Sequence, residues 1–122
     1  MFDHIGLGVS DLDASKDFFL EALAPLGMAV VLEFPGVVGI GPQGKPGLWL
    51  EAGKAKPVPL HLAFTAQARG QVDEFHRRAL AAGAKDNGAP GLRPHYHPDY
   101  YAAFVIGPDG HNVEVVCHRP QA

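Results

Sequence analysis

The sequence predicts an α+β fold in which two tandem βαβββ units form one concave surface. Strand-like alternation and helix-like periodicity follow one another in an order that occurs twice within the 122 residues. A shift of 57 residues aligns His4 with His61, and later in each half a shift of 66 aligns 41–44 with 107–110, so an insertion separates the two offsets. The repeat predicts one domain, residues 1–122, built of two modules at about 1–54 and 58–122.

The first module is predicted to contain one helix and four strands. Ser10, Asp11 and Asp13 favour a helix start, because a capping side chain is followed by acidic groups in the first turn. Pro25 and Gly27 end this helix. Alternating or apolar segments between Gly- and Pro-containing turns predict strands at 2–9, 29–34, 37–41 and 47–52.

The second module is predicted to follow the same plan with a longer loop. Apolar residues at helical spacing predict a helix from about 70 to 82, which ends at Gly83. The segment 87–98 is rich in Gly, Pro and His and is interpreted as a loop. Strands are predicted at 60–66, 100–107 and 112–118.

Charge and composition exclude several classes of partner. Ten basic against 13 acidic residues give a formal charge of −3, and no basic cluster is longer than Arg77-Arg78, so no nucleic-acid surface is expected. The longest apolar run, 100–106, is far too short to span a bilayer, and the acidic N-terminal segment does not resemble a signal peptide. The single Cys117 forms no intrachain disulfide, which predicts a reducing, cytoplasmic setting.

Two strands combine a bulky face with a face that carries one histidine and small residues. In the first strand His4 shares its face with glycines, and in the strand 60–66 His61 shares its face with Ala63 and Thr65. The space above such faces predicts a ligand cavity. The competing interpretation is that each histidine is an ordinary packed or hydrogen-bonded residue, and His76 and His111 are expected to be solvated.

The last strand carries an acid in an apolar setting. Glu114 lies among Val113, Val115 and Val116, where an unpaired carboxylate would be costly. A metal ion or a cationic partner would relieve that cost. The alternative is a structural acid paired with Arg93 or Arg119. Cys117 lies on the opposite face and is interpreted as a small buried apolar residue.

Three segments resemble the vicinal oxygen chelate superfamily, which includes glyoxalase I, fosfomycin-resistance enzymes, extradiol dioxygenases and bleomycin-resistance proteins. They are 2–12 (FDHIGLGVSDL), 61–64 (HLAF) and 107–115 (GPDGHNVEV). The turn before the glutamate is the most specific of them. The resemblance is strongest to the small glyoxalase/bleomycin-resistance proteins and implies the fold of paired βαβββ units around a U-shaped site.

The resemblance also implies a divalent metal ion held by His4, His61 and Glu114. Zn, Ni, Mn, Co or Fe(II) would accept these nitrogen and oxygen ligands. A fourth ligand is expected on the first-module strand that matches the last strand, but the repeat aligns Glu114 with Leu48 or, after a one-residue slip, Trp49, and neither binds a metal. Glu51, two residues further on, is the remaining candidate.

Polar aromatic residues cluster in the loop before the penultimate strand. His95, His97 and Tyr100 are predicted to carry protons near the metal, and the alternative is a proline-stiffened surface loop. Trp49, Phe104 and Tyr101 are predicted to bind substrate, and the alternative for Trp49 is a residue of the core. Phe104 stands where the dioxygenase branch of the superfamily usually has a tyrosine, which weakens the dioxygenase interpretation.

These residues support three functional hypotheses. The first is a glyoxalase-like, metal-dependent lyase or isomerase that acts on a small oxygen-rich substrate. The second is a non-catalytic small-molecule binding protein of the bleomycin-resistance type, with an aromatic cavity. The third is an extradiol-type dioxygenase. The resemblance further implies a homodimer whose subunits share or extend the sites.

Overall fold

The computed structural model describes residues 2–53 and 57–121. Its two halves each contain four strands and one α-helix, in the order β-α-β-β-β. In the first half these are β1 (Ile5–Val9), α1 (Leu12–Leu23), β2 (Met28–Phe34), β3 (Val37–Pro42) and β4 (Leu48–Ala52). In the second half they are β5 (His61–Thr65), α2 (Arg69–Ala81), β6 (Lys85–Leu92), β7 (Tyr101–Ile106) and β8 (Asn112–Cys117).

Each half forms its own four-stranded mixed sheet. The orders are β1-β4-β3-β2 and β5-β8-β7-β6, so each helix is followed by the edge strand that lies farthest from the strand before it. β1 pairs with β4 and β5 with β8 in parallel, and the other pairs are antiparallel. The prediction of an α+β fold with tandem βαβββ units is confirmed, and its strands are divided between two sheets.

The helices cover one face of each sheet. Asp11 caps α1 by accepting a hydrogen bond from the amide of Ala14, as the acidic start of this segment predicts. Phe18 and Phe19 of α1 and Phe75 of α2 are buried in a continuous core with the inward-facing strand residues. Because strand residues alternate between faces, the opposite face of each sheet is left open.

Most of β6, residues 87–92, falls in the segment 87–98 that was predicted to be a loop. Its sequence, KDNGAPGL, has no alternation of apolar and polar residues, and its pairing with β7 is irregular at Gly88 and Gly91. β6 is an edge strand, where glycine, proline and register shifts are tolerated. The pairing with β7, rather than any local preference, makes this segment a strand.

Contacts between the helices and the β-turns join the two halves. The side chain of Gln71, at the start of α2, accepts hydrogen bonds from the amides of Gln67 and Ala68, and its Nε2 donates to the carbonyl of Pro25. The amide and hydroxyl of Ser10 donate to the carboxylate of Asp109. These contacts fix the halves to each other on the side of the helices, away from the open faces.

His111 is buried at the same junction, contrary to the expectation of a solvated turn residue. Its Nδ1 accepts a hydrogen bond from the amide of Leu60 at 2.9 Å, so Nε2 carries the proton and donates to the carbonyl of Gly8 at 3.3 Å. The imidazole thus ties β1 of the first half to the segment before β5. Among the described residues no helix is long and apolar enough to cross a membrane.

Candidate functional site

The open face of the first sheet carries a cavity of about 510 Å³. We call the group His4, Trp49 and Glu51, which lines it, the first-sheet site. Gly6 pairs with Trp49 and Gly8 with Glu51 in the parallel ladder between β1 and β4. The Glu51 carboxylate leans over Gly6, where an added Cβ would lie 3.1 Å from Oε1. Gly6 therefore makes room for the acid beside His4.

The orientation of His4 leaves one ring nitrogen for a ligand. Its Nδ1 donates a hydrogen bond to the Asp3 carboxylate at 2.7 Å. That bond, and next the contact with Lys45, hold the pKa of Asp3 below its ordinary value. Because the proton is fixed on Nδ1, the lone pair of Nε2 is free to accept a proton or bind a metal ion. The imidazole is more than half exposed.

Trp49 occupies the centre of this face. Its indole lies against the backbone of Gly39, where an added Cβ would be 2.8 Å from Cζ3. In the ladders, the row Gly6, Trp49 and Gly39 corresponds to the row Ala63, Glu114 and Phe104 of the second sheet. Trp49 is therefore the counterpart of Glu114, and the first half has an indole at the position of the acid. The carboxylate of the first-sheet site belongs instead to Glu51, which lies two residues further along β4.

The open face of the second sheet brings His61, Tyr100 and Glu114 together, and we call this group the second-sheet site. His61 Nε2 lies 2.8 Å from Glu114 Oε1. The imidazole is about half exposed, whereas the carboxylate is almost fully buried. No arginine pairs with Glu114 in the described part of the chain, so the histidine and the tyrosine compensate the buried acid instead of Arg93 or Arg119.

Tyr100 completes the hydrogen bonding of this carboxylate. Its hydroxyl donates to Glu114 Oε2, while His61 contacts the other oxygen. Burial, and next the hydrogen bond to Glu114, raise the pKa of the Tyr100 phenol to about 12. The hydroxyl consequently keeps its proton at neutral pH and acts as a donor to the carboxylate.

The other residues of the Tyr- and His-rich loop divide between two sides of the sheet. Tyr101 pairs with Cys117 on the helix side, and its hydroxyl donates to Asp73 of α2 at 2.6 Å. The structure therefore does not bring Tyr101 together with Phe104, which shares a cross-strand pair with Glu114. The His97 ring lies 5.8 Å from that of His118, and His95 is exposed with its ring 4.2 Å from Tyr96.

The donor atoms fit a divalent transition ion in type but not in number within one chain. Imidazole nitrogen and carboxylate oxygen converge at His61 and Glu114, and a second such pair, His4 and Glu51, lines the cavity of the other sheet. Within residues 2–53 and 57–121, no three His, Cys, Asp or Glu side chains are grouped as a metal site. The predicted set of His4, His61 and Glu114 thus needs donors from both sheets.

Arg93 was expected only as a possible partner of Glu114, and it lies elsewhere. Its guanidinium lies over the ring of Phe104, 5.4 Å from the centroid, on the open face of the second sheet. The glycines of β6 were the signal that pointed to it, because a glycine in a strand often marks the close approach of another group.

The whole-chain comparisons agree with this architecture. The profile of the Glyoxalase/Bleomycin resistance protein/Dioxygenase superfamily matches residues 1–115. No relative of the chain was found among curated proteins.

Solved structures with the same fold cover nearly the whole chain. A glyoxalase/bleomycin resistance protein from Albidiferax ferrireducens T118 is 26% identical with a TM-score of 0.84, over 96% of this chain and 98% of that one. A glyoxalase-related enzyme from Fulvimarina pelagi is 25% identical (TM-score 0.70, 96% and 87% covered). The oxidase ChaP-H1, at 23% identity, shares the fold (TM-score 0.74, 98% and 96% covered). The chain belongs to the glyoxalase/bleomycin resistance protein/dioxygenase superfamily.

Proposed function

We propose that the protein is a metal-dependent enzyme of the glyoxalase type, in which a divalent ion is held by His61 and Glu114 of one chain and by His4 of a second chain. The observation that carries the proposal is the 2.8 Å approach of His61 Nε2 to the buried Glu114 Oε1. A bound ion of this kind supplies Lewis acidity, which polarises the oxygens of a small substrate.

A composite site follows from the separation of the donors. Each sheet carries one imidazole and one carboxylate on its open face, while the halves are joined on the helix side. A second chain that places its first sheet against the second sheet of its neighbour would unite both pairs, with Glu51 as the fourth ligand. Leu32 and Phe34 lie on the open face of the first sheet and are exposed, as such a contact requires.

The residues of the second-sheet site have distinct expected roles. The Tyr100 hydroxyl stays protonated at neutral pH because its pKa is raised. It orients the Glu114 carboxylate by donating a hydrogen bond to it. His97, beside His118 at the edge of this site, is the candidate for moving protons to and from solvent. His95 remains a second candidate. The single buried Cys117 supports a reducing, cytoplasmic setting.

Metal analysis and complementation test this proposal. Purified wild-type protein should retain close to one divalent ion per subunit, and both His61→Ala and His4→Ala should lose it, while His76→Ala keeps it. When the two defective variants are unfolded, mixed and refolded, a composite dimer has one intact site in each mixed pair, so about a quarter of the wild-type occupancy should return. No recovery would contradict the composite site, and absence of metal from wild type would contradict the enzyme.

Trp49 favours a second candidate function, that of a small-molecule binding protein without chemistry. Its indole packs against Gly39 and lines the cavity, so it offers an aromatic surface to a ligand. Such a protein would bind a planar ligand equally well with and without EDTA, as seen by quenching of Trp49 fluorescence. Loss of binding on chelation would exclude this candidate in favour of the enzyme.

A further inference from the structure

Arg93 is a cation without an acidic partner on the open face of the second sheet. Its Nη1 donates to the carbonyl of Gly91 at 2.7 Å and its Nη2 to the carbonyl of Ala89 at 2.9 Å. In the described parts of the chain no carboxylate lies within ion-pair distance of it, whereas the three arginines of α2 each have one. These two backbone contacts fix the guanidinium but leave its charge uncompensated.

Glycines of β6 make the place in which this guanidinium lies. An added Cβ at Gly88 would be 2.9 Å from Phe104 Cδ1 and 3.1 Å from Arg93 Nη2. One at Gly91 would be 3.3 Å from Arg93 Nη1. Gly88 also has a φ of +152°, which other residues rarely adopt. A side chain at either position would crowd the guanidinium and require it to shift by a few tenths of an ångström, so the two glycines let it lie close to the β6 backbone.

Phe104 connects Arg93 to the second-sheet site. The guanidinium lies over the phenyl ring, 5.4 Å from its centroid, and the centroid of the His61 imidazole is 6.2 Å from the same point. Phe104 also pairs with Glu114 across the strands. The open face therefore carries, one after another, the guanidinium of Arg93, the phenyl ring of Phe104 and the histidine–carboxylate pair.

A fixed guanidinium with unused N–H groups is suited to bind a carboxylate. Arginine has five N–H donors in a planar fork, and two of them satisfy the backbone carbonyls here. Because the backbone contacts already restrict the side chain, a ligand carboxylate would cost little further conformational entropy on binding. The part of the Phe104 ring that remains exposed beside the guanidinium offers an apolar surface to a flat group attached to that carboxylate.

We propose that the second-sheet site takes a small anionic ligand of the hydroxyaryl or oxo carboxylate class, with its carboxylate on Arg93, its flat body along Phe104 and its far oxygen toward His61 and Glu114. The direction of the far oxygen rests on the proposed function. The carboxylate subsite rests on Arg93, Phe104 and the glycines alone, and it needs no metal.

Binding of a matched pair of probes tests the subsite. In low salt with EDTA, the wild-type protein should bind 4-hydroxybenzoate about ten-fold more tightly than 4-hydroxybenzamide, which has the same ring and hydroxyl but no charge. Arg93→Gln should abolish this preference, Arg93→Lys should keep part of it, and Arg119→Gln, at an exposed arginine outside this face, should leave it unchanged. In the wild type, the NMR signal of the Arg93 Nε–H should shift with the benzoate and not with the benzamide.

The outcomes separate this inference from the metal proposal. Equal affinity for the two probes in wild type, a preference that survives in Arg93→Gln, or an Arg93 signal that ignores the benzoate would overturn it. A charge preference that depends on Arg93 supports the subsite even where metal analysis of wild type is negative. Conversely, a metal-loaded protein with no charge preference keeps the metal site and removes the anion subsite. The NMR measurement needs no variant, so it decides the matter even if Arg93→Gln does not fold.

Discussion

The indole of Trp49 rests on the bare backbone of Gly39, in the row of the first sheet that corresponds to the Glu114 row of the second. Gly39→Ala should displace the ring, because the new Cβ would lie 2.8 Å from Cζ3. We expect a changed emission maximum of the single tryptophan and a loss of about 1–3 kcal/mol of stability. Gly47→Ala, where an added Cβ meets nothing within 4 Å, is the matched control, and identical spectra for all three proteins would refute the contact.

Tyr100 should make stability depend on alkaline pH. Its folded-state pKa of about 12 exceeds the ordinary value of 10.0, so its contribution is complete below pH 10 and is lost as the pH rises toward 12. The free energy of unfolding of the wild type should therefore exceed that of Tyr100→Phe at pH 8, and the difference should shrink between pH 10 and 12. A difference that stays constant over that range would contradict the assignment.

Glu114→Gln should lower the pKa of the Tyr100 phenol, since it removes the negative charge that accepts the phenolic proton. The shift should be partial, because burial is the largest cause of the raised pKa and remains in the variant. Absorbance at 295 nm, measured against pH in a background of Tyr96→Phe and Tyr101→Phe, follows this ionisation, since the chain has three tyrosines. An unchanged titration curve would mean that the hydrogen bond does not form.

His111 should be important for stability although it lies outside both sites. His111→Ala leaves the Leu60 amide and the Gly8 carbonyl without their partner and opens a cavity, which should cost about 2–4 kcal/mol. His95→Ala, at an exposed histidine, should cost less than about 0.5 kcal/mol. Comparable denaturation midpoints for the two variants would show that the buried bridge contributes nothing.

The duplicated fold was predictable from sequence because its signals are local. Capping at Asp11, the glycines beside His4 and the matching turns at 41–44 and 107–110 each depend on a few neighbouring residues. β6 was not predictable in this way, since its glycines and proline form a strand only through pairing with β7. His111 and Arg93 were misjudged for the same reason: both are defined by backbone groups that the fold brings to them.

The candidate site was predictable by residue and not by arrangement. The alternation of side chains along β5 and β8 predicts that His61 and Glu114 lie on one face of the sheet. In the structure they are in contact. The same alternation predicts that His4 lies on an open face, and it does, but this face belongs to the first sheet and not to the second. The periodicity of a strand predicts on which face of its sheet a side chain lies. It does not predict how two sheets are arranged relative to each other.

The unequal partners Trp49 and Glu114 have a consequence for any molecule enclosed between the two open faces. Although the two faces come from one repeated unit, the first has an indole where the second has a carboxylate, so the two faces are not equivalent. A ligand bound between such faces would have one preferred orientation, because the reverse orientation would place its oxygens against the apolar indole. Duplication followed by the divergence of this row thus gives two related faces different chemical characters.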